Sequence, residues 1–467
     1  MALSSALFSG ISGLNTIGNA MQVIGDNIAN VNTIGFKGST FTFQDLLSQN
    51  ISTMSGTAQV GRGSAMGDIY ASYEQGSFES TGSTTDLAIG GAGFFVLRES
   101  GTDTNYYTRA GNFRFNKDGY LVNPEGYVVQ GWQLDENGED VGSIDDIVLD
   151  SFTSPPQQTT STEVIVNLDS DGADNSTGVN ALSAAWDGTD TTPLGETAYE
   201  YQTTLKVYDS LGSTHDITIY FDRGATDATY EYIVTCNPGE DDRTVTAASH
   251  AGLLGRGTIT FNAGSGVITD IDLDVNDGDG TWTAQVEATD LTDGYFVYNP
   301  EFINGNPMAV ELDLGARYDG TSWVNGSLAT TQFARPSTTT FQAANGYGAG
   351  DLQGVNVDVD GVITGSYSNG QLIPLFRVSL AKFQNNLGLV KEGGNLFKST
   401  RDSGDAITNR PGTNGLGSIA PNSLEQSNVD MATEFVKMIT TQRGYQANSK
   451  VITVTDQLLQ EVINLKR

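Results

Sequence analysis

The sequence predicts a mainly β protein that carries an α-helix at each end. Two observations lead to this fold class. Residues 1–31 and 428–467 have apolar residues at heptad spacing, and nearly everything between them has the pattern of short strands separated by turns. The composition agrees, because 56 glycines and a charged fraction of only 17% in 467 residues fit turn-dense β structure better than disorder. We therefore expect terminal helices that form a coiled-coil-like pair, a split β-domain and an inserted all-β outer domain.

The first helix has one continuously apolar face. Its seam residues lie seven apart in two interleaved series, which are Leu7, Leu14, Met21 and Ile28, and Ile17, Ile24 and Val31. Helix-forming residues give way to Asn and Thr near residues 30–33, and Gly35 supplies a stop signal. We expect the helix to end there.

The last helix follows a capping-box-like start at residues 427–430. Its apolar residues form two stripes, Ala432, Val436 and Ile439, and then Ile452, Leu459 and Val462. A helix of about thirty residues gains most of its stability from packing, so each stripe needs a partner. The nearest partners are the other terminus or further copies of both, which indicates a chain that polymerises through its ends.

The sequence between the helices divides into a connector, a split domain and an insertion. Residues 32–85 are polar and rich in glycine, and predict an extended connector with short strands. Turn signals such as Lys117-Asp118-Gly119 predict hairpins in residues 86–150, and the same pattern returns in residues 336–427. These two segments are expected to form one β-domain. Residues 151–335, bounded by prolines, form the inserted all-β domain, with one or two subdomains.

The inserted segment carries most of the excess negative charge. The net charge is −33, and residues 151–335 hold 28 Asp and Glu against 6 Lys and Arg. A nucleic-acid partner is not expected, because phosphate binding needs a basic surface. No apolar run is long enough to cross a membrane, and residues 1–36 lack the basic start of a conventional cleavable signal peptide.

Three motifs point to a family. The chain resembles bacterial flagellar rod and hook axial proteins at their N-terminal signature, which here is Asn27-Ile28-Ala29-Asn30-Val31-Asn32-Thr33-Ile34-Gly35-Phe36-Lys37. Their C-terminal signature is similar to Ser427-Asn428-Val429-Asp430, followed by Gln442-Arg443-Gly444-Tyr445-Gln446-Ala447-Asn448. The start of their first β-domain resembles residues 86–95, DLAIGGAGFF. The long insertion resembles hook members rather than the shorter rod members.

The resemblance implies a structural protein with no enzymatic activity, cofactor or metal. Members of the family leave the cell through the flagellar export apparatus and stack into a tube. A hook subunit would form a short curved tube that transmits motor torque to the filament and bends as a universal joint. The implied partners are further copies of the chain, the distal rod protein, the hook–filament junction protein and the assembly cap. The alternatives are a distal rod protein, and a secreted acidic surface protein or adhesin.

Polar residues interrupt the apolar face of the last helix at Gln442, Arg443, Gln446 and Asn448. Buried amides need partners, so we expect hydrogen bonds across subunits, with a solvated face or the channel wall as the alternative. Lys37 and Arg443 are expected either to pair with acidic neighbours in the assembled tube or to stay solvated.

Four features suggest chemistry, and each has a simpler explanation. The glycines at 90–93 precede a strand rather than a phosphate-binding helix. A catalytic triad would need His215 or His250, and His215 lies in an apparent strand. Residues 167–172 match the first half of a calcium loop, but Gly178 replaces the required glutamate. Cys236 is either a small buried hydrophobe or, by resemblance to some spirochaete hooks, a residue that is cross-linked to a lysine of another subunit.

Overall fold

The structure is a computed structural model that describes residues 2–53, 56–135, 137–224, 226–276, 281–302 and 306–464. Strands are the main secondary structure of the described residues and a long helix lies towards each end, which confirms the predicted mainly β fold class. The chain divides into two compact units. The first unit comprises Met1–Phe152, Leu352–Ser366 and Gln371–Arg467, and the second comprises Thr153–Asp351 and Tyr367–Gly370.

The helices are α1 (Ala2–Ala29), the single turn α2 (Ala181–Ala184) and α3 (Met431–Asn464). Asp430 caps α3, because its Oδ1 accepts a 2.6 Å hydrogen bond from the Thr433 amide. That bond and the partial positive charge at the helix N-terminus stabilise the ionised carboxylate, and the backbone hydrogen bond from Thr433 holds the pKa of Asp430 below its usual value. No helix within the described residues is long and apolar enough to span a membrane.

The N-terminal part of the first unit contains twelve strands among the described residues. They are β1 (Ser39–Asp45), β2 (Gln49–Thr53), β3 (Gly56–Val60), β4 (Ser64–Ala71), β5 (Phe78–Ser80), β6 (Leu87–Gly90), β7 (Phe94–Arg98), β8 (Asn105–Thr108), β9 (Arg114–Phe115), β10 (Leu121–Val122), β11 (Val128–Leu134) and β12 (Asp140–Asp146).

The segment that we expected to be an extended connector folds back on itself. β1 pairs antiparallel with β4 from Ser39 opposite Ala71 to Asp45 opposite Ser64, and β2 pairs with β3. The alternating Thr and Phe residues of β1 favour a strand, and pairing satisfies the backbone groups that an extended linker would leave to water. The short strands predicted in this connector are present, but they pair with one another, so β1 to β4 form a long β-hairpin in residues 39–71.

The strands of the second unit, in chain order, are β13 (Thr153–Ser154), β14 (Ser161–Asp169), β15 (Tyr201–Tyr208), β16 (Thr214–Arg223), β17 (Thr229–Cys236), β18 (Leu253–Phe261), β19 (Ile268–Asn276), β20 (Trp282–Ala284), β21 (Phe296–Tyr298), β22 (Val310–Asp313), β23 (Ala316–Tyr318), β24 (Trp323–Asn325), β25 (Thr331–Phe333) and β26 (Thr338–Ala344). β15 to β20 form an antiparallel meander, and β14 joins β22, β25 and β26 in a second sheet. Both sheets contribute to one core, in which Val164 of β14 lies with Ile219 and Tyr232 of the meander.

The chain then returns to the first unit through β27 (Gly350–Val357), β28 (Val362–Tyr367), β29 (Leu372–Val378), β30 (Leu380–Lys382), β31 (Val390–Gly393), β32 (Leu396–Lys398), β33 (Ile407–Asn409), β34 (Ser418–Pro421) and β35 (Ser423–Glu425). β29 pairs with β11, and β30 pairs with β7, so strands from both halves share one sheet. Successive side chains of β7 point to opposite faces of the sheet. Phe95 and Leu97 therefore pack in one hydrophobic core, and Phe94 and Val96 pack in another.

The last two strands bring the C-terminal segment beside the N-terminal one. β34 pairs with β6, and β35 pairs with β5, which places Glu425 opposite Phe78. Glu425 is thereby fixed six residues before the start of α3 and close to the chain that follows α1. The pairing of β34 and β35 with N-terminal strands therefore places the candidate functional site described below.

Candidate functional site

The two terminal helices pack against each other in antiparallel order. The Asn27 amide donates to Oε2 of Glu434 at 3.3 Å, close to the end of α1 and the start of α3. Further along the pair, a β-carbon added to Gly13 would lie 3.0 Å from Nδ2 of Asn448, and one added to Gly10 would lie 3.1 Å from Cγ1 of Ile452. The close approach of the backbones therefore depends on residues without side chains.

The buried face of α1 differs from the predicted apolar seam. The residues of this helix that are buried are Gly10, Gly13, Thr16, Ala20, Ile24 and Asn27. Of the predicted seam only Ile24 is buried, and the half-buried members are Leu7, Leu14, Ile17, Met21, Ile28 and Val31. Glycine and alanine permit the close helix contact, and the larger apolar side chains are left on its flanks.

On α3 the predicted interface residues lie mostly away from α1. The exposed ones are Val436, Ile439, Gln442, Arg443 and Gln446, and the half-buried ones are Asn448 and Leu459. The side chain of Val462 lies outside the described residues. The residues that α3 buries most deeply are Glu434 and Thr455, so the face of α3 within the chain is polar. Packing of the predicted apolar residues against other copies stays a prediction.

Asn27 ties the end of α1 to the first strand of the hairpin. Its Oδ1 accepts a bond from the Ser39 amide, and its Nδ2 donates to the Ser39 carbonyl, both at 2.8 Å. One side chain thus completes both hydrogen bonds of a strand-like pair and also reaches Glu434. Farther along the motif, Thr33 Oγ1 lies 3.2 Å from Oδ1 of Asn30, which stabilises the turn that ends the helix.

Gly35 is required where the chain leaves that turn. Its φ is +67°, and an added β-carbon would lie 2.5 Å from the backbone nitrogen of Ala110. Its amide donates to the carbonyl oxygen of Glu425 at 2.7 Å. The next residue, Phe36, is buried, and the Lys391 ammonium lies 5.0 Å from the centre of its ring. The N-terminal motif therefore makes its contacts with residues that are far away in sequence.

Asn428 of the C-terminal motif joins three segments. Its Oδ1 accepts from the Gly38 amide at 2.9 Å, and its Nδ2 donates to the carbonyl oxygens of Ser72 and Glu74 at 2.8 and 3.1 Å. The neighbouring Val429 lies against Gly38, where an added β-carbon would be 2.9 Å from its Cγ2. The hydroxyl of Ser427 accepts from the Val429 amide at 3.3 Å.

Lys37 and Glu425 form a fully buried ion pair. Lys37 Nζ lies 2.7 Å from Oε1 of Glu425, and the exposed fraction of both side chains is 0%. Arg109 Nη1 approaches Oε2 of the same carboxylate at 3.2 Å. Lys37 was expected to pair in the assembled tube or to stay solvated, and this expectation was wrong. It pairs inside its own chain, because the return of β35 places Glu425 beside it.

Burial disfavours the charged forms of both Lys37 and Arg109. Removal from water lowers the pKa of Lys37, although the hydrogen bond and charge of Glu425 act to raise it. Burial also lowers the pKa of Arg109, again against the effect of Glu425. The remaining donors reach carbonyl oxygens, since Lys37 Nζ donates to Glu74 and Arg109 Nη2 to Gly91, at 2.7 and 2.8 Å. Nε of Arg109 is buried without a hydrogen-bond partner among the described residues.

Sequence reasoning missed Arg109, Glu425 and Glu434. Each is an isolated charge, directly after a short strand for Arg109, in a short strand for Glu425 and at a helix start for Glu434, and neither charge pattern nor spacing marks it. The one available signal was that Glu425 lies two residues before the C-terminal motif. The glycines at 90–93 also belong here, because the carbonyl oxygen of Gly91 accepts from Arg109.

The other chemical candidates have structural roles. His215 stacks on Phe302, with ring centres 3.8 Å apart, and its Nδ1 lies 2.7 Å from Oε2 of Glu240. Asn167 is buried in β14, where its amide donates to the Arg335 carbonyl, so a calcium loop cannot begin there. Within the described ranges, no three His, Cys, Asp or Glu side chains are grouped to hold a metal ion. Cys236 is 3% exposed and belongs to the core of the second unit.

Four family models match the chain. They are "Flagella basal body rod protein" at residues 7–37, "Flagellar hook protein FlgE/F/G D1 domain" at 88–172, "Flagellar basal body protein FlaE D2 domain" at 167–347 and "Flagellar basal body rod FlgEFG protein C-terminal" at 420–465. The first and last of these cover the two segments that meet at Glu425.

Similar proteins include one solved structure and several relatives that match over nearly the full length. The solved structure of flagellar hook protein FlgE2 from Helicobacter pylori aligns with 74% of this chain and 100% of its own, at 15% identity and a TM-score of 0.46. The flagellar hook proteins FlgE of Borreliella burgdorferi and Treponema pallidum are each 34% identical over 99% of both chains. That of Escherichia coli is 30% identical over 100% of both chains. Identity at this level over the full length shows that the chain belongs to the flagellar hook protein family.

Proposed function

We propose that the chain polymerises into the hook through the apolar side chains that its terminal helices leave exposed. The observation that carries this proposal is the exposed fraction of large apolar residues on both helices. Phe8 and Ile11 on α1 are 69% and 52% exposed, and Val436 and Ile439 on α3 are 62% and 51% exposed. Apolar surface of this extent on two long helices favours burial against further copies of the chain.

Members of this family are structural proteins of the hook, and self-assembly within the basal body and hook follows from membership. In the proposed assembly, the terminal helices line a central channel, the split β-domain forms a middle shell and the acidic inserted domain faces outward. Apolar helix contacts resist twisting, whereas wet contacts between charged domains can slide at little cost. Such a tube would transmit torque while it bends.

The other proteins that the chain would contact follow from its proposed place in the hook. The chain would contact the distal rod protein at one end of the tube, and the hook–filament junction protein at the other after the assembly cap has left. It would reach the growing end through the flagellar export apparatus. The full-length hook relatives support this assignment over a distal rod protein or a secreted adhesin.

Complementation of a strain that lacks this gene tests the proposal. Electron microscopy of the mutant should show rods without the short curved segment, and the chain supplied in trans should restore that segment. The polymer sheared from complemented cells should consist of this chain. Curved hooks that persist in the mutant, or rods that are lost with them, would contradict the assignment. Deletion of residues 156–330 should change the curvature and bending stiffness of the restored hooks.

A further inference from the structure

We propose that Glu425 is the positioning residue that fastens the paired terminal segments to the β-domain, and that it does so as the single counter-charge of two buried cations. The geometry within the first unit supports this role. The carboxylate accepts hydrogen bonds from Lys37 Nζ at 2.7 Å, the Gly76 amide at 2.9 Å and Arg109 Nη1 at 3.2 Å. Its own carbonyl accepts from the Gly35 amide.

Three stretches of chain therefore contact Glu425, which itself lies in a fourth. Gly35 and Lys37 follow α1, Gly76 follows the hairpin, Arg109 follows β8, and Glu425 itself ends β35 shortly before α3. All of these contacts join segments that are distant in sequence, so each is lost when either partner moves. The terminal helices are in this way attached to the β-domain at a buried point rather than through a free linker.

The Glu425 carboxylate is the one negative charge that balances the two buried cations of the cluster within the described residues. Two cations share one anion, and the carbonyl oxygens of Glu74 and Gly91 that complete their shells are neutral. Removal of the Glu425 charge would leave two buried cations without a counter-ion, whereas removal of one cation would leave a neutral pair. An uncompensated buried charge is far more destabilising than a shortened side chain.

The consequence concerns the mechanics of the assembled tube and rests on the proposed function. A buried attachment held by ion pairs makes the terminal helices and the β-domain turn together, so this joint transmits rotation. Bending would then have to occur at other contacts.

Amide hydrogen exchange on the full chain, read by mass spectrometry, tests the inference. The peptides of interest cover residues 33–38, 74–78 and 425–430. Glu425→Gln keeps the shape and removes the charge, and it should speed exchange by about 100-fold or more in all three segments together. Lys37→Met should speed it by less than about tenfold. Glu392→Gln, an exposed position on β31, is the matched control and should change nothing in these segments.

The inference is overturned if Glu425→Gln affects only its own segment, or if Lys37→Met is as harmful. If the Glu425→Gln chain does not fold, the triple variant Lys37→Met, Arg109→Met, Glu425→Gln decides, because it leaves no buried charge in the cluster. A folded, protected triple variant supports the charge argument, and an unfolded one refutes it. Hooks built by the wild-type chain in the complemented strain test the proposed function separately, so the two failures are distinguishable.

Discussion

Asn448 lies against Gly13 where the two terminal helices cross, and a β-carbon on Gly13 would be 3.0 Å from the Asn448 amide nitrogen. Asn27 and Glu434 define the same antiparallel register fourteen residues farther along each helix. A shift by one heptad would separate Asn27 from the buried Glu434 and remove that hydrogen bond. The pairing is therefore specified by a glycine and a few polar contacts rather than by a continuous apolar seam.

The first prediction concerns this close contact. Gly13→Leu should destabilise the helix pair by about 1–3 kcal/mol, because the new side chain has to displace Asn448 or separate the helices. Gly18→Leu is the matched control, since no atom lies within 4 Å of a β-carbon at Gly18 and leucine is the better helix former. Thermal unfolding followed by circular dichroism at 222 nm measures both. Equal melting curves for the two variants would contradict the proposed contact.

The sequence predicted the two helices and the strand-rich middle well, because both depend on local periodicity. It did not predict which face of α1 is buried. The heptad pattern marks Leu7, Leu14 and Met21 as a seam, but a pattern of apolar residues cannot show that Gly10 and Gly13 let another backbone come closer. The large side chains lie on the flanks for that reason.

The charged cluster was beyond sequence reasoning for a different reason. Arg109 and Glu425 are 316 residues apart. Arg109 directly follows a short strand and Glu425 ends another, so no sequence period identifies their neighbours. Only the pairing of β35 with β5 brings the carboxylate to Lys37. The hairpin of residues 39–71 was missed in the same way, because the partner of β1 lies beyond two other strands.

The second prediction concerns the thiol. Burial raises the pKa of Cys236 far above its usual value, so almost no thiolate forms in the folded chain. Native protein should therefore react with a maleimide at least about 100-fold more slowly than protein in denaturant. Thr204→Cys, an exposed position on β15, supplies a fast-reacting control thiol in the same chain. Labelling of Cys236 at the control rate would contradict the burial and reopen a role in cross-linking between subunits.

The third prediction uses the pH dependence of the second unit. Burial raises the pKa of Asp313, and the charge of Asp313 contributes, after burial, to the raised pKa of Glu163 and of Glu311. A carboxyl group whose pKa is raised binds its proton more tightly when folded. Its contribution to stability therefore increases as the pH falls through the folded value, and levels off below the unfolded value of about 3.9.

Asp313→Asn should accordingly raise the melting temperature of the second unit at pH 7 by about 2–4 °C. The asparagine keeps an acceptor for the Gly315 amide, which donates to Oδ1 of Asp313 at 2.6 Å. The advantage over wild type should shrink as the pH falls through the folded pKa of Asp313, because protonation leaves both side chains neutral. Calorimetry of the full chain from pH 4 to 8 measures it, with Asp242→Asn at an exposed position as control. A gain of the same size in both variants would show only relief of the overall negative charge.

The fourth prediction separates folding from assembly. Ile439→Glu places a charge on the exposed face of α3, and the chain alone should unfold within about 0.5 kcal/mol of wild type, because the residue packs against little of its own chain. In the complemented mutant strain, the number of hooks should fall at least about tenfold, since a charge would have to be buried between neighbouring copies. Val179→Glu, in the second unit and 86% exposed, is the control and should leave hook number unchanged. Normal hooks with Ile439→Glu would mean that this face of α3 is not an interface between copies.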